Sequence, residues 1–237
     1  MESVAMFLLG GPAFSGKTLL AHLLNQDGLV CLDEPDFHDP SQSHRGIPFL
    51  EKLFPDKTFP ARPERKLSAR EAVELIAECQ EIIRPHNLGV KTANWVFVEY
   101  ARIYKKLGYP VIAVVRDIRD AFVEAPLPEW VTEKRLNKAY RLIWANARLY
   151  DLCLRYEDLV TQPEEVMAEI AATLSHRLEV KYRWSAESVH PTMFKLERHG
   201  LLRLGAITTS QVGIWKNSDV ELSKATHKTA VMMGYSR

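Results

Sequence analysis

The residues best suited to chemistry lie close to the amino terminus. Gly11-Pro-Ala-Phe-Ser-Gly-Lys-Thr18 matches the pattern GxxxxGK[ST] in full. In that pattern two glycines permit a tight loop whose successive backbone N–H groups converge on an anion. The lysine reaches a terminal charged group, and hydroxyls such as those of Ser15 and Thr18 bond its oxygens. Phosphate or sulfonate binding is the chemistry such a loop supports. A second group follows as Leu32-Asp33-Glu34-Pro35-Asp36-Phe37-His38. There Asp33 suits Mg²⁺ or an acceptor hydroxyl in a kinase. In a transferase that uses no metal, Glu34 suits proton abstraction as a general base, with His38 as a second candidate. The third group is Arg116-Asp-Ile-Arg-Asp120. Its guanidinium groups match the oxygens of a phosphate in bidentate geometry.

Elements able to hold these groups together can be read from the hydrophobic pattern. Residues 4–9 form a short apolar run that stops at Gly10-Gly11, as a buried parallel strand does, and residues 17–25 carry a helical stripe after the loop. A second buried strand is expected over residues 29–32. Residues 33–66 are polar, with prolines at 35, 40, 48, 55, 60 and 63. This stretch is too long for a plain connector and reads as a functional loop or a substrate-facing insertion. Ser68 and Glu71 form a capping box for a helix that runs to Arg84. Further helices are expected over 95–107, 128–149, 161–174 (capped by Thr161 and Glu164) and 218–233. Strands are expected over 111–115 and 152–156. Strands alternating with helices give an α/β fold, with a mostly parallel sheet between two helical layers. Sites in such sheets form at the carboxyl ends of the strands, which is where all three reactive groups fall.

Composition narrows the function classes. The 237 residues are 46% hydrophobic and 26% charged, sufficient for a sizeable buried core. Thirty-one Lys and Arg against thirty Asp and Glu leave a net charge of +1, which argues against a general nucleic-acid binder. Cys31, Cys79 and Cys153 are odd in number and widely spaced, so buried reduced thiols are expected rather than disulfides or a zinc site. The start, MESVAMFLLGGP, has no basic segment before its apolar run, and no apolar stretch approaches the roughly 20 residues that cross a bilayer. A cytoplasmic protein with no membrane partner is the expectation.

Several strings resemble, in order and spacing, those of the nucleotide-dependent sulfotransferases. They are VVRDIRDAF, RYEDLVTQPEEVMAEIAATL, SQVGIWKNS, the closing MMGY, and KTANW at Lys91. The resemblance covers residues 4–235, loosely over 35–85. It implies one P-loop domain over residues 1–237 with a loop or helical substrate-facing insertion around 35–85. It also implies 3′-phosphoadenosine 5′-phosphosulfate as donor, no catalytic metal, and a small-molecule acceptor. Residue by residue, it assigns Ala13, Phe14, Ser15, Gly16, Lys17 and Thr18 to the 5′-phosphosulfate and Arg116 to the 3′-phosphate. Tyr156, Ser210, Gly213 and Trp215 complete the donor site. Glu34 falls where several members carry their base, with Asp36 and His38 behind it.

The chain departs from the family pattern at four positions. Phe14 stands where a basic residue is usual, and Glu124 where a serine binds the 3′-phosphate. Ile118 replaces a proline, and Ala93 replaces the catalytic histidine of the cytosolic branch. The alternative reading is an ATP-dependent small-molecule kinase that uses Lys17, Thr18 and Asp33 with Mg²⁺. Aromatic residues Phe37, Phe49, Phe54 and Phe59 offer an apolar wall for an acceptor, whereas Trp130 and Trp144 are expected in the core.

Overall fold

The computed structural model describes residues 6–26, 28–33, 46–92, 96–123, 129, 131–180, 207 and 209–236. Five parallel strands form one sheet in the order β2-β3-β1-β4-β5. They are β1 (Met6–Gly10), β2 (Leu29–Asp33), β3 (Asn87–Lys91), β4 (Val111–Val115) and β5 (Leu152–Arg155). The helices are α1 (Lys17–Leu23), α2 (Ile47–Leu53), α3 (Ala69–Ile83), α4 (Phe97–Lys106), α5 (Ile118–Val123), α6 (Glu133–Ala145), α7 (Tyr156–Thr161), α8 (Pro163–Leu174) and α9 (Lys224–Met232). Short 3₁₀ turns cover Ala147–Leu149 and Ile214–Asn217.

Alternation along the strands builds two cores. Met6 and Leu8 of β1, with Val111, Ala113 and Val115 of β4, face a cluster that takes in Ile76, Tyr104, Tyr140 and Ala230. Phe7 and Leu9, with Ile112 and Val114, face the opposite cluster of Leu20, Tyr156, Leu159 and Ile170. The sheet is therefore covered on both sides, by α1, α7 and α8 on one face and by the remaining packed helices on the other. This is the three-layer α/β fold expected from the alternating pattern.

The structure corrects several local expectations. Strand β3 is not marked by a β-branched run, because Asn87-Leu-Gly-Val-Lys91 has a glycine at its centre. That glycine is required by packing: a Cβ on Gly89 would stand 2.0 Å from Cζ of Phe7. Helix α2 lies within the proline-rich stretch, with Pro48 in its first turn, where its missing N–H costs nothing. Helix α6 starts at Glu133, because Thr132 accepts a cap bond from the Arg135 N–H. The last helix starts after Ser223 rather than at residue 218. Thr161 does not cap α8, since its hydroxyl donates to the Glu157 carbonyl at 2.8 Å and Gln162 takes the cap position.

Cys31 and Cys79 are buried, and burial pushes the Cys79 thiol up to about 12. Cys153 is exposed instead, on the edge strand β5. Trp144 is 51% exposed and outside the core, while Trp130 lies outside the described residues. The capping box of α3 forms as read, with the Ser68 N–H donating to Glu71 at 2.8 Å. No described helix is long and apolar enough to cross a membrane.

Candidate active site at the carboxyl ends of the strands

The loop of residues 11–18 joins β1 to α1 at the point where the strand order reverses direction. Strand β1 pairs with β3 on one side and β4 on the other, so loops following these strands diverge and leave a crevice. Gly16 ends the loop at φ +86°, and a Cβ there would stand 2.3 Å from Cδ2 of Tyr156. Phe14 takes the left-handed conformation at φ +59°, a strained state for a residue with a side chain. Ala13 and Ser15 are buried, and among the described residues the Ser15 hydroxyl has no hydrogen-bond partner. Lys17 is 6% exposed and donates to the Pro12 carbonyl at 2.9 Å, so its ammonium is folded back along the loop. A buried hydroxyl with no partner among the described residues, a strained backbone and a folded lysine meet here, a cradle with the chemistry to take an anion.

Lys91 joins this cradle from β3. The register sets it opposite Leu9 of β1 and Asp33 of β2, at the carboxyl edge of the sheet. It is 2% exposed, and its ammonium donates to the Thr18 hydroxyl at 2.9 Å. The sequence shows Lys91 only as the first residue of KTANW, with no role attached. The usable signal was a lysine closing the short apolar run Leu88-Gly-Val90, since a parallel strand buried on both faces tolerates a charge only at its end.

The Arg116–Asp120 segment follows β4 directly. Arg116 donates to the Phe14 carbonyl at 3.3 Å and to the Gln211 carbonyl at 2.5 Å, with Cζ 4.8 Å from the centre of the Tyr156 ring. One guanidinium therefore ties the anion loop to the carboxyl-terminal segment. Arg119 is paired with Asp117 at 2.7 Å, stacks 4.0 Å from the Trp215 ring, and donates to the Ser236 carbonyl at 2.7 Å. Asp120 accepts from the Gly213 N–H at 2.7 Å and from the Trp215 N–H at 3.0 Å. Ser210 is exposed and directly precedes Gln211. Glu157 accepts from the Asp117 N–H at 2.9 Å and from the Tyr235 hydroxyl at 3.0 Å, and burial pushes its carboxyl above the ordinary value. Asp117, Asp120, Glu157 and Tyr235 stand within the motif strings without a role in the sequence and join this network through these bonds.

The expected site residues thus divide into two sets. Ala13, Phe14, Ser15, Gly16, Lys17, Thr18, Arg116, Tyr156, Ser210, Gly213 and Trp215 lie on described segments that border the crevice. Glu34, Asp36 and His38 lie outside the described residues, as do the departures Ala93 and Glu124. Asp33 closes β2 beside Lys91 in register, and Glu34 is the next residue in the chain. No cluster of three or more His, Cys, Asp or Glu side chains able to hold a metal ion occurs among the described residues.

No family model matches the sequence, and no curated protein matches it either. Solved structures do. The sulfotransferase domain of the Synechococcus PCC 7002 olefin synthase is similar over 100% of this chain and 97% of its own, with 15% identity and a TM-score of 0.64. Retinol dehydratase in a complex with retinol and PAP is 14% identical over 98% of this chain and 81% of its own, at a TM-score of 0.47. Shikimate kinase from Bacteroides thetaiotaomicron is 11% identical over 73% of this chain and 99% of its own, also at 0.47. Of these three, the olefin synthase domain is similar enough to define the fold. The chain therefore has the three-layer, all-parallel α/β fold of a sulfotransferase domain.

Proposed function

We propose that the chain is a sulfotransferase that moves a sulfuryl group from 3′-phosphoadenosine 5′-phosphosulfate to a hydroxyl or amine of a small-molecule acceptor. The observation that carries this reading is the Lys91 ammonium on the Thr18 hydroxyl, 2.9 Å away. In P-loop kinases and ATPases the equivalent hydroxyl holds Mg²⁺. Here a buried cation already stands against that oxygen. A divalent ion on the same oxygen would meet repulsion on the order of 4 kcal/mol per unit charge at 4 Å in a partly screened site. The cradle thus favours an anion neutralised by protein cations, as a phosphosulfate would be, over a nucleotide that arrives with its metal.

The residues fit such a donor. Ser15 brings a buried hydroxyl with no partner among the described residues, and Lys17 and Lys91 bring positive charge to the loop at Pro12 and Thr18. In the reaction the acceptor oxygen or nitrogen bonds to sulfur while the bond from sulfur to the 5′-phosphate oxygen breaks. The acceptor proton passes to Glu34, and the products are a sulfate ester or sulfamate and 3′-phosphoadenosine 5′-phosphate. Lys17, Lys91, Ser15 and the loop amides stabilise the sulfonate oxygens and the charge gathering on the departing phosphate. Catalysis of this kind is positioning plus fixed electrostatics. Arg116 serves the 3′-phosphate, with Tyr156, Ser210, Gly213 and Trp215 around the nucleotide. The acceptor enters on the side of residues 35–85.

Two measurements test this. Thermal denaturation with 3′-phosphoadenosine 5′-phosphate should raise Tm more than ADP with Mg²⁺, because at equal concentration the tighter ligand stabilises the fold more. A larger rise with ADP and Mg²⁺ would make the chain a kinase. Glu34→Gln should lower kcat by about 10²–10⁴ with the nucleotide dissociation constant unchanged, the range for a lost general base. An active Glu34→Gln enzyme would pass that role to Asp36 or His38.

A further inference from the structure

The segment after β4 does more than supply a phosphate-binding arginine. Asp120 is 1% exposed, and each of its carboxylate oxygens accepts a different backbone N–H from the turn at residues 213–215. That turn opens with Gly213 at φ +73°, a conformation that a glycine adopts freely and that the two bonds to Asp120 hold in place. On either side, Arg116 grips the Gln211 carbonyl and Arg119 covers the Trp215 ring. Four consecutive contacts thus run from one strand-end segment to one carboxyl-terminal turn, and Arg116 carries the connection on to Phe14 in the anion loop.

A buried carboxylate is an odd choice for a plain tether. Its negative charge repels any anion bound nearby, and burial pushes its carboxyl above the ordinary value. A neutral side chain would fasten the turn without that penalty. What a carboxylate offers is two symmetric acceptors spaced for two N–H groups, which fix the orientation of the turn as well as its distance. We propose that Asp120 is a positioning residue for the donor: it holds the turn at residues 213–215 in the orientation that meets the nucleotide. The proposal rests on the sulfotransferase reading above.

Asp120→Asn is the direct test. The amide keeps one acceptor and turns a donor toward the other N–H, so at least one charge-assisted bond is lost. The dissociation constant for 3′-phosphoadenosine 5′-phosphate should rise about 10- to 100-fold, the range for a bond to a charged group. With donor saturating, kcat should stay within about threefold of wild type and the acceptor KM should not move, since Asp120 acts on the turn alone. Gly213→Ala provides a second perturbation that leaves Asp120 intact. Its new Cβ meets nothing within 4 Å among the described residues, so there the strain falls on the backbone of the turn. It should raise the nucleotide dissociation constant about 5- to 30-fold. Unchanged nucleotide affinity in a folded Asp120→Asn protein would overturn the proposal, as would a fall in kcat with an unchanged donor KM. If Asp120→Asn fails to fold, unchanged affinity in Gly213→Ala overturns it instead. A wild-type protein that binds no 3′-phosphoadenosine 5′-phosphate would overturn the sulfotransferase reading itself, an outcome distinct from tight wild-type binding with unaffected variants.

Discussion

Replacing Lys91 with methionine is expected to lower kcat by about 10²–10³ at saturating donor, the cost of removing one fixed charge from developing negative charge in a transition state. Methionine keeps the length of the lysine stem, so the packing at the end of β3 survives. Lys91 is 2% exposed, and an ammonium so far from water pays a desolvation cost that a thioether does not. Tm should therefore hold or rise while activity falls. That opposition separates a catalytic charge from a structural one, because a structural lysine would lower Tm and activity together. The variant also frees the Thr18 hydroxyl. Mg²⁺ added to wild type should leave nucleotide affinity unchanged. In Lys91→Met, added Mg²⁺ should tighten binding of 3′-phosphoadenosine 5′-phosphate, because a divalent ion can then reach that oxygen. Retention of kcat within threefold in Lys91→Met would remove Lys91 from the reaction and weaken the case for metal-free chemistry with it.

The contrast between Lys17 and Lys91 shows what was legible in the sequence. Lys17 sits inside an eight-residue pattern whose geometry is local, so its spacing alone announces an anion loop. Lys91 reaches the same loop from 73 residues away, through a strand whose central glycine exists to admit the ring of Phe7. Nothing near Lys91 in the chain records that contact. The strand itself was missed for the same reason, since Gly89 erases the β-branched pattern that made Val111–Val115 easy to read. Asp120 and its turn repeat the lesson at separations of 93 and 95 residues. Both partners were visible as strings, but the hydrogen bonds between them are a property of the folded crevice. Layering was readable even without β3, because burial on two faces leaves its mark separately on the apolar runs of β1 and β4. The misplaced starts of α6, α8 and α9 have a different origin. Those of α6 and α9 are decided by which neighbouring polar side chain turns back onto the helix, as Thr132 and Ser223 do, whereas α8 starts at Pro163 with no side-chain cap and Thr161 bonded elsewhere.

Gly16→Ala should weaken binding of 3′-phosphoadenosine 5′-phosphate at least 30-fold, and the reason lies in a stack of three groups. Gly16 holds φ +86°, where a side chain costs about 1–2 kcal/mol. The added methyl would also stand 2.3 Å from the Tyr156 ring, and crowding of this kind costs about 1–3 kcal/mol. Tyr156 cannot simply move aside, because it is 1% exposed and the Arg116 guanidinium lies 4.8 Å from its ring centre. The strain therefore passes to Arg116, which also holds Phe14 and Gln211, so the loop and the carboxyl-terminal segment shift together. Tyr156→Leu removes the ring that meets the methyl but leaves the backbone conformation as it was. The pair Gly16→Ala and Tyr156→Leu should accordingly bind nucleotide more tightly than the two single losses predict, by about 1–3 kcal/mol in a double-mutant cycle. Simple additivity would mean that the ring and the loop do not press on one another, and the coupling through Arg116 would fail with it. A cycle that closes with the expected sign would make Tyr156 the wedge that holds the anion loop in its strained form, whether or not its own hydroxyl ever touches the donor.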